Sequence, residues 1–269
     1  VSKIEELFSE LDNVKDTLEK VKLQLVQYRQ SLLKSAFEGK LTEEWRIEKS
    51  DELESVNTIL KILDNDCSNS NYLQIIKKSK KLPISWEFIK IGRMEKFVGS
   101  GITPKGGKSV YQDEGIPFIR SQNVYPNGLH LENIAYVSKE LHNKMSRTHI
   151  QDYDVLLNIT GASIGRANFI PSNFGEGNVN QHVCIIRCHS KVNPQFFSYW
   201  LNSPKCQDTI FSSQQGQTRQ GLNYSQIRDM VFPICSLEEQ EQIVSKLEQG
   251  LSLIENTENI TNTMLKKLE

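Results

Sequence analysis

The sequence predicts an α+β protein in which a β-rich domain is flanked by long coiled-coil helices. Three observations predict it: an apolar heptad at the start, short alternating apolar runs in the middle, and an end that repeats the beginning. VSKIEELFSELDN at 1–13 recurs as VSKLEQGLSLIEN at 244–256, an offset of 243 residues. Ile4 matches Leu247, Phe8 matches Leu251 and Leu11 matches Ile254. Solenoid periods run to roughly 20–50 residues, so this spacing predicts one large unit, a helix followed by a globular domain, that starts inside one helix and ends inside the next. A first residue other than Met fits a trimmed or excised piece.

The opening helix is read from its period. One seam position carries Ile4, Leu11, Leu18, Leu25 and Leu32; the other carries Leu7, Val14, Val21, Tyr28 and then Ser35. Four sustained heptads predict a coiled coil, about 48 Å long at 1.5 Å per residue, which needs a partner helix to cover its seam. Gly39 follows the run as a helix stop does. The coiled-coil segment is placed at 1–46 and a polar linker at 47–81, with a short helix at 51–64 and the basic cluster KKSKK at its end.

The globular domain is placed at 82–234. Strands are predicted at 116–120, 134–137, 154–159, 167–170 and 182–188, separated by turn sequences such as YPNG and PSNFGEGN. A helix is predicted at 194–211, with Phe196, Phe197, Trp200 and Leu201 on one face, and a short one at 223–230. A second long helix is placed at 235–269, opened by Ser236 as N-cap with Glu238 and Glu239 in the first turn. Its seam is poorer, with Gly250, Thr257 and Thr261 at positions that call for apolar residues.

Composition narrows the function. No apolar run approaches the roughly 18 residues of a membrane span, and no signal peptide pattern opens the sequence. Five unframed cysteines point to a reduced, cytoplasmic setting. The net charge is −1, yet residues 77–231 hold 19 Lys and Arg against 11 Asp and Glu. The basic middle and acidic ends point to a polyanion partner.

Three catalytic motifs come close and fail. GITPKGGKS has five residues between Gly101 and Gly107 where a phosphate-binding P-loop needs four, and Pro104 interrupts it. FVGSG resembles a short adenosylmethionine-binding glycine pair, but no Asn/Asp-Pro-Pro-aromatic motif follows to hold a flipped base. His182, Cys184, Cys188 and His189 suggest zinc, but Cys-x-x-x-Cys on a strand spreads its sulfurs about 13 Å apart, too wide for one tetrahedral ion.

What remains is rich in nucleic-acid-reading side chains. Arg120, Ser121 and Asn123 form one polar run; Thr160, Ser163 and Arg166 a second; Gln181 with Asn178 and Asn180 a third; Gln217 and Arg219, among glutamines, a fourth. Arg pairs bidentately with guanine, and Asn or Gln with adenine. Lys105 and Lys108 suit phosphate contacts. Asn180, Gln181 and Asn223 suit turn capping equally well.

Together these pieces resemble the specificity (S) subunit of type I restriction-modification enzymes, along essentially the whole chain. KVKLQLVQYRQSLLKSAFEGKLT resembles its spacer helix, LPISWEFIKIG the start of a target recognition domain, and GIPFIRSQNV, DVLLNITGASIGRANFIP and NVNQHVCIIR its internal motifs. GQTRQGLNYSQIRDMVFPICSLEEQEQIVSKLE resembles the exit into the next spacer helix. The resemblance implies sequence-specific reading of one half of a split double-stranded DNA site by a chain that is not itself an enzyme. It implies methylation (M) subunits docked on the helices, and either a second copy of this chain or a second recognition domain. A restriction (R) subunit is a further partner it allows. Adenosylmethionine, ATP and Mg are then expected on the partner subunits and no cofactor or metal on this chain. The alternatives are a coiled-coil protein-interaction scaffold and a stand-alone DNA-modifying enzyme.

Overall fold

The computed structural model describes residues 2–67, 69–73, 82–104, 106–214 and 221–268. In chain order the elements are α1 (Ser2–Phe37), α2 (Glu43–Glu48), α3 (Val56–Asp66), β1 (Glu87–Lys90), α4 (Ile91–Met94), β2 (Glu95–Ser100), β3 (Ile116–Ile119), β4 (Val124–Tyr125), β5 (Gly128–Leu129), β6 (Ala135–Val137), α5 (Lys139–Lys144), β7 (Val155–Asn158), β8 (Ala167–Phe169), β9 (Asn178–Val179), β10 (Val183–Cys188), α6 (Pro194–Leu201), α7 (Pro204–Ser212), α8 (Tyr224–Asp229), β11 (Val231–Ile234) and α9 (Leu237–Lys267). Single 3-10 turns fill several of the gaps.

The domain is organised around a four-stranded antiparallel sheet in the order β2-β10-β7-β8. Side chains alternate across it with period 2. Val155, Leu157, Cys184 and Ile186 enter one core, and Leu156, Val183 and Ile185 enter a second on the opposite face. Burial on both faces is why these strands read as continuous apolar runs. A three-stranded sheet, β6-β3-β9, extends the second side; β1 pairs with β11, and β4 with β5.

The larger core reaches beyond the sheet. It joins Trp86, Phe196, Phe197, Trp200 and Phe232 to Leu33 and Ala36 of α1 and to Ile243, Val244 and Leu247 of α9. The rings of Phe197, Trp200 and Phe232 lie 5.2–5.7 Å apart, within the range of favourable aromatic pairing. The helices and the domain thus share one hydrophobic interior.

The two long helices pair antiparallel. Arg29 bonds to Glu258, Leu32 lies against Gly250, and the Leu41 carbonyl accepts from Lys246, so partners fall in number as the first helix rises. The expected seam is modified. Leu18, Val21, Leu25 and Leu32 are half-buried, whereas Ile4, Leu7, Leu11, Val14 and Tyr28 are exposed. Two causes operate. Among the described residues most of the first half of α1 has no element packed on it, and over 25–36 the covered positions follow 3.6 rather than 3.5 residues per turn. Drift carries the line from Leu25 to Arg29, Leu33 and Ala36, leaving Tyr28 outside. In α9, Gly250 leaves room for Leu32: a Cβ there would stand 2.6 Å from Leu32 Cδ2.

Other expectations are corrected. The segment 47–81 is not linker throughout, because α3 buries Val56, Ile59 and Leu63 in the main core. The helix at 194–211 is two helices. Pro204 cannot continue the first and pushes Ser203 into an extended conformation (ψ 149°). Among the described residues of 101–110 the regular structure is one 3-10 turn, Gly107–Val110, and not the helix a P-loop leads into. KKSKK lies outside the described residues.

Candidate nucleic-acid interface

β2 and β7 flank β10 and both run antiparallel to it, with Ser100 opposite Cys184 and Asn158 opposite Val183. The segments that leave β2 and β7 and the one that enters β10 therefore emerge at the same end of the sheet. The Gly101 amide donates to the Asn180 carbonyl, and the Asn180 amide to the Ile119 carbonyl, which brings the end of β3 to the same place. Gly101 must be glycine there, because a Cβ would fall 1.6 Å from the Val179 carbonyl oxygen. Thr160 bridges to Gly221, and the Leu222 amide donates to Ile159, adding the far side of the 214–221 segment. Polar runs remote in sequence thus share one edge.

The side chains at this edge are interlocked. Gln181 Nε2 lies 2.8 Å from His182 Nε2, and His182 Nδ1 lies 2.5 Å from Thr160 Oγ1. With the amide donating, the imidazole proton sits on Nδ1 and is donated to the threonine. Ser100 bonds to the Tyr224 hydroxyl through its amide (2.8 Å) and lies 2.7 Å from it through Oγ. Asn158 is fully buried and donates to the Ser121 carbonyl at 2.8 Å. Asn158 Oδ1 and Arg120 Nε are buried with no hydrogen-bond partner among the described residues. Unsatisfied polar atoms cost about 1–3 kcal/mol each, and such costs concentrate at functional surfaces.

Arg166, at the start of β8, holds its guanidinium 4.7 Å over the Tyr125 ring, and Tyr125 stacks on His130 at 4.2 Å and 15°. Asn168 pins this hairpin by donating to the Tyr125 carbonyl. An arginine preordered on an aromatic face loses less freedom when it makes a bidentate contact.

The cysteines take no part. Burial pushes the Cys184 thiol up to about 12 and raises Cys188 and Cys206 as well, which keeps them neutral and unreactive. Among the described residues no group of three His, Cys, Asp or Glu could hold a metal, and no helix is long and apolar enough to cross a membrane.

The family model described as the type I restriction modification DNA specificity domain matches residues 83–266. The chain belongs to this family. It is 26% identical over 271 residues to the type I restriction enzyme EcoBI specificity subunit of Escherichia coli, covering 99% of this chain and 52% of that one. Two solved structures share the fold. The S subunit of a type I restriction-modification system from M. genitalium superposes with a TM-score of 0.50 at 15% identity, covering 98% of this chain and 59% of that one. A chain solved in work on assembly and conformational transition of the type I R-M system gives 0.54 at 16%, covering 92% and 55%. The chain spans about half the length of the curated relative.

Within this specificity domain, Arg120, Ser121, Thr160, Ser163, Arg166 and Gln181 lie on the loops at or next to the shared edge. Asn123 does not join them. It is buried, its Oδ1 accepting from the Arg120 amide and its Nδ2 donating to the His130 carbonyl, so its side chain is consumed in shaping the turn. Asn180 accepts from the His182 amide, and Asn223 caps α8 with Gln226. Lys105, Gln217 and Arg219 lie outside the described residues, as does the side chain of Lys108. Sequence reasoning missed Tyr125, His130 and Tyr224 in this role, and weighed His182 only as a zinc ligand. Only the YPNG turn signals the first two, and nothing local marks the others.

Proposed function

We propose that this chain is the non-catalytic DNA-reading component of a type I restriction-modification system, working in the cytoplasm and reading one half of a two-part double-stranded site. The observation that carries the reading is the meeting of polar loops at one end of the β2-β10-β7 sheet, within a segment richer in Lys and Arg than in Asp and Glu. Lys105 and Lys108 supply phosphate contacts that set register. Base contacts come from among Arg120, Arg166, Gln181, Gln217 and Arg219, with Ser121, Thr160 and Ser163 beside them. Asn123 shapes the turn that presents Arg120.

The helix pair docks methylation (M) subunits and, through them, a restriction (R) subunit. Adenosylmethionine, ATP and Mg belong to those partners. A relative about twice as long suggests that the other half-site is read by a second copy of this chain or a second recognition domain. The repeat supports this: Leu247 and Ile254 of α9 are packed, while their counterparts Ile4 and Leu11 in α1 are exposed.

Mapping methylated adenines in host DNA with and without this gene tests the proposal. The expected result is a two-part interrupted motif that disappears with the gene. An unchanged methylation pattern, together with purified complex that binds all duplexes equally, overturns it. Transfer of methyl groups by the purified chain alone favours the stand-alone enzyme.

A further inference from the structure

The chain leaves the domain at Ser236, and the first turn of α9 buries two polar side chains completely, Glu239 and Gln240. Glu239 Oε1 accepts from Thr42 Oγ1 at 2.8 Å and from Arg46 Nε at 3.0 Å; Oε2 accepts from the Trp86 indole at 2.9 Å. Thr42 and Arg46 lie where α1 turns into α2, and Trp86 stands directly before β1. Arg46 also donates to the Gly39 carbonyl and lies 5.8 Å over the Trp86 ring. Gly39 has φ +73° and sits against Pro83. Gln240 Oε1 accepts from the Asn193 amide at 2.8 Å, and its Nε2 donates to the carbonyls of Lys191 at 3.0 Å and Cys235 at 2.9 Å. One dipeptide therefore bonds to the chain at the end of α1, the start of the domain and the start of α6.

Burying a carboxylate is expensive, and apolar side chains of similar size often serve stability as well. What apolar contact does not supply is direction. Packing of Leu33 and Ala36 with Ile243 and Leu247 contributes burial that is non-directional. Hydrogen bonds weaken steeply with angle, so a carboxylate gripping three donors from two remote segments selects one tilt. We infer that Glu239 and Gln240 are positioning residues that fix the angle between the helix pair and the reading edge, and thereby the gap accepted between two half-sites. This rests on the DNA-reading function proposed above.

The test uses the full chain with its partner subunits, and duplexes carrying its mapped site with the gap unchanged or altered by one base pair. Wild type loses about tenfold or more in affinity on the altered gaps, while Glu239→Gln loses less than about threefold and binds an isolated half-site as wild type does, on the scale of a single mismatched pair. Unchanged gap discrimination overturns the inference, as does loss of half-site binding in step with whole-site binding. Should Glu239→Gln fail to fold, Thr42→Val removes one donor and reads the same outcome. A label-to-label distance between Gln24 on α1 and Asn143 on α5 separates the two claims. A distribution that broadens in Glu239→Gln supports the clamp even if wild type shows no sequence preference, which would overturn only the DNA-reading function. A distribution as narrow as wild type overturns the clamp.

Discussion

Residues 1–13 and 244–256 carry the same pattern in different surroundings. Leu247 and Ile254 are 0% and 1% exposed, Leu247 as part of the main core, whereas Ile4 and Leu11 are 59% and 39% exposed. Both segments are helical, the first from Ser2. The comparison separates two quantities that a heptad confounds. Period sets the helix and its apolar face; a tertiary partner sets whether that face is worth anything to stability. One strong divergence, Leu7 against Gly250, falls where the second copy meets Leu32.

The comparison can be broken first at its largest difference. Leu247→Ala is expected to destabilise the chain by about 2–5 kcal/mol, as a buried leucine truncation does, while Ile4→Ala changes it by less than about 0.5 kcal/mol, as exposed substitutions do. Urea denaturation of the two variants checks this, and equal losses would mean that the first copy is covered in solution. Next comes the divergent position. Gly250→Leu, which restores the first copy's residue, forces Leu32 aside and costs about 1–3 kcal/mol by overpacking, whereas Leu7→Gly costs only about 1 kcal/mol of helix preference. Thermal melts of both variants read the difference.

A smaller effect comes from alkali. The core that seats the second copy also holds Cys184, whose thiol burial pushes up to about 12. Below pH 9 the thiol is protonated in both states. Above it the unfolded chain ionises and the folded one does not, so stability falls as pH rises through 9, by about 1.4 kcal/mol at pH 10. Denaturation midpoints between pH 8 and 10 should drop less steeply in Cys184→Ala than in wild type. The smallest effect belongs to the Arg29–Glu258 pair, at 3.0 Å with both side chains about a third exposed. Arg29→Ala is expected to cost less than about 1 kcal/mol, with the charge contribution fading in high salt.

Three strands of the central sheet, β7, β8 and β10, are legible because sterics and burial act locally, whereas β2 does not read as a strand from its sequence. A run such as DVLLNI, apolar on both faces and bounded by polar turns, has few other stable fates. The end of α6 is legible too, once Pro204 is weighed against a continuous helix. The seam of α1 is legible only in part, since the heptad marks apolar positions but not the drift that replaces Tyr28 with Arg29. The polar edge of the sheet is legible as separate polar runs and not as a site. Its assembly depends on β10 lying between β2 and β7, an order fixed by pairing between segments tens of residues apart. For the same reason Asn123 reads as a base-contacting residue and proves to be a turn-shaping one. Asparagine offers the same donors and acceptors to a neighbouring backbone as to a base edge.

By itself the sequence determined the two amphipathic helices, the apolar strands between them, the absence of P-loop spacing and the concentration of basic and amide side chains in the middle. These follow from period, composition and local sterics. Only the tertiary structure decided which of the two repeated segments is covered, which polar side chains reach the surface, and that Glu239 joins three distant stretches at one buried point. Those outcomes depend on contacts between residues far apart in the chain, where burial and hydrogen-bond geometry are set by the whole fold.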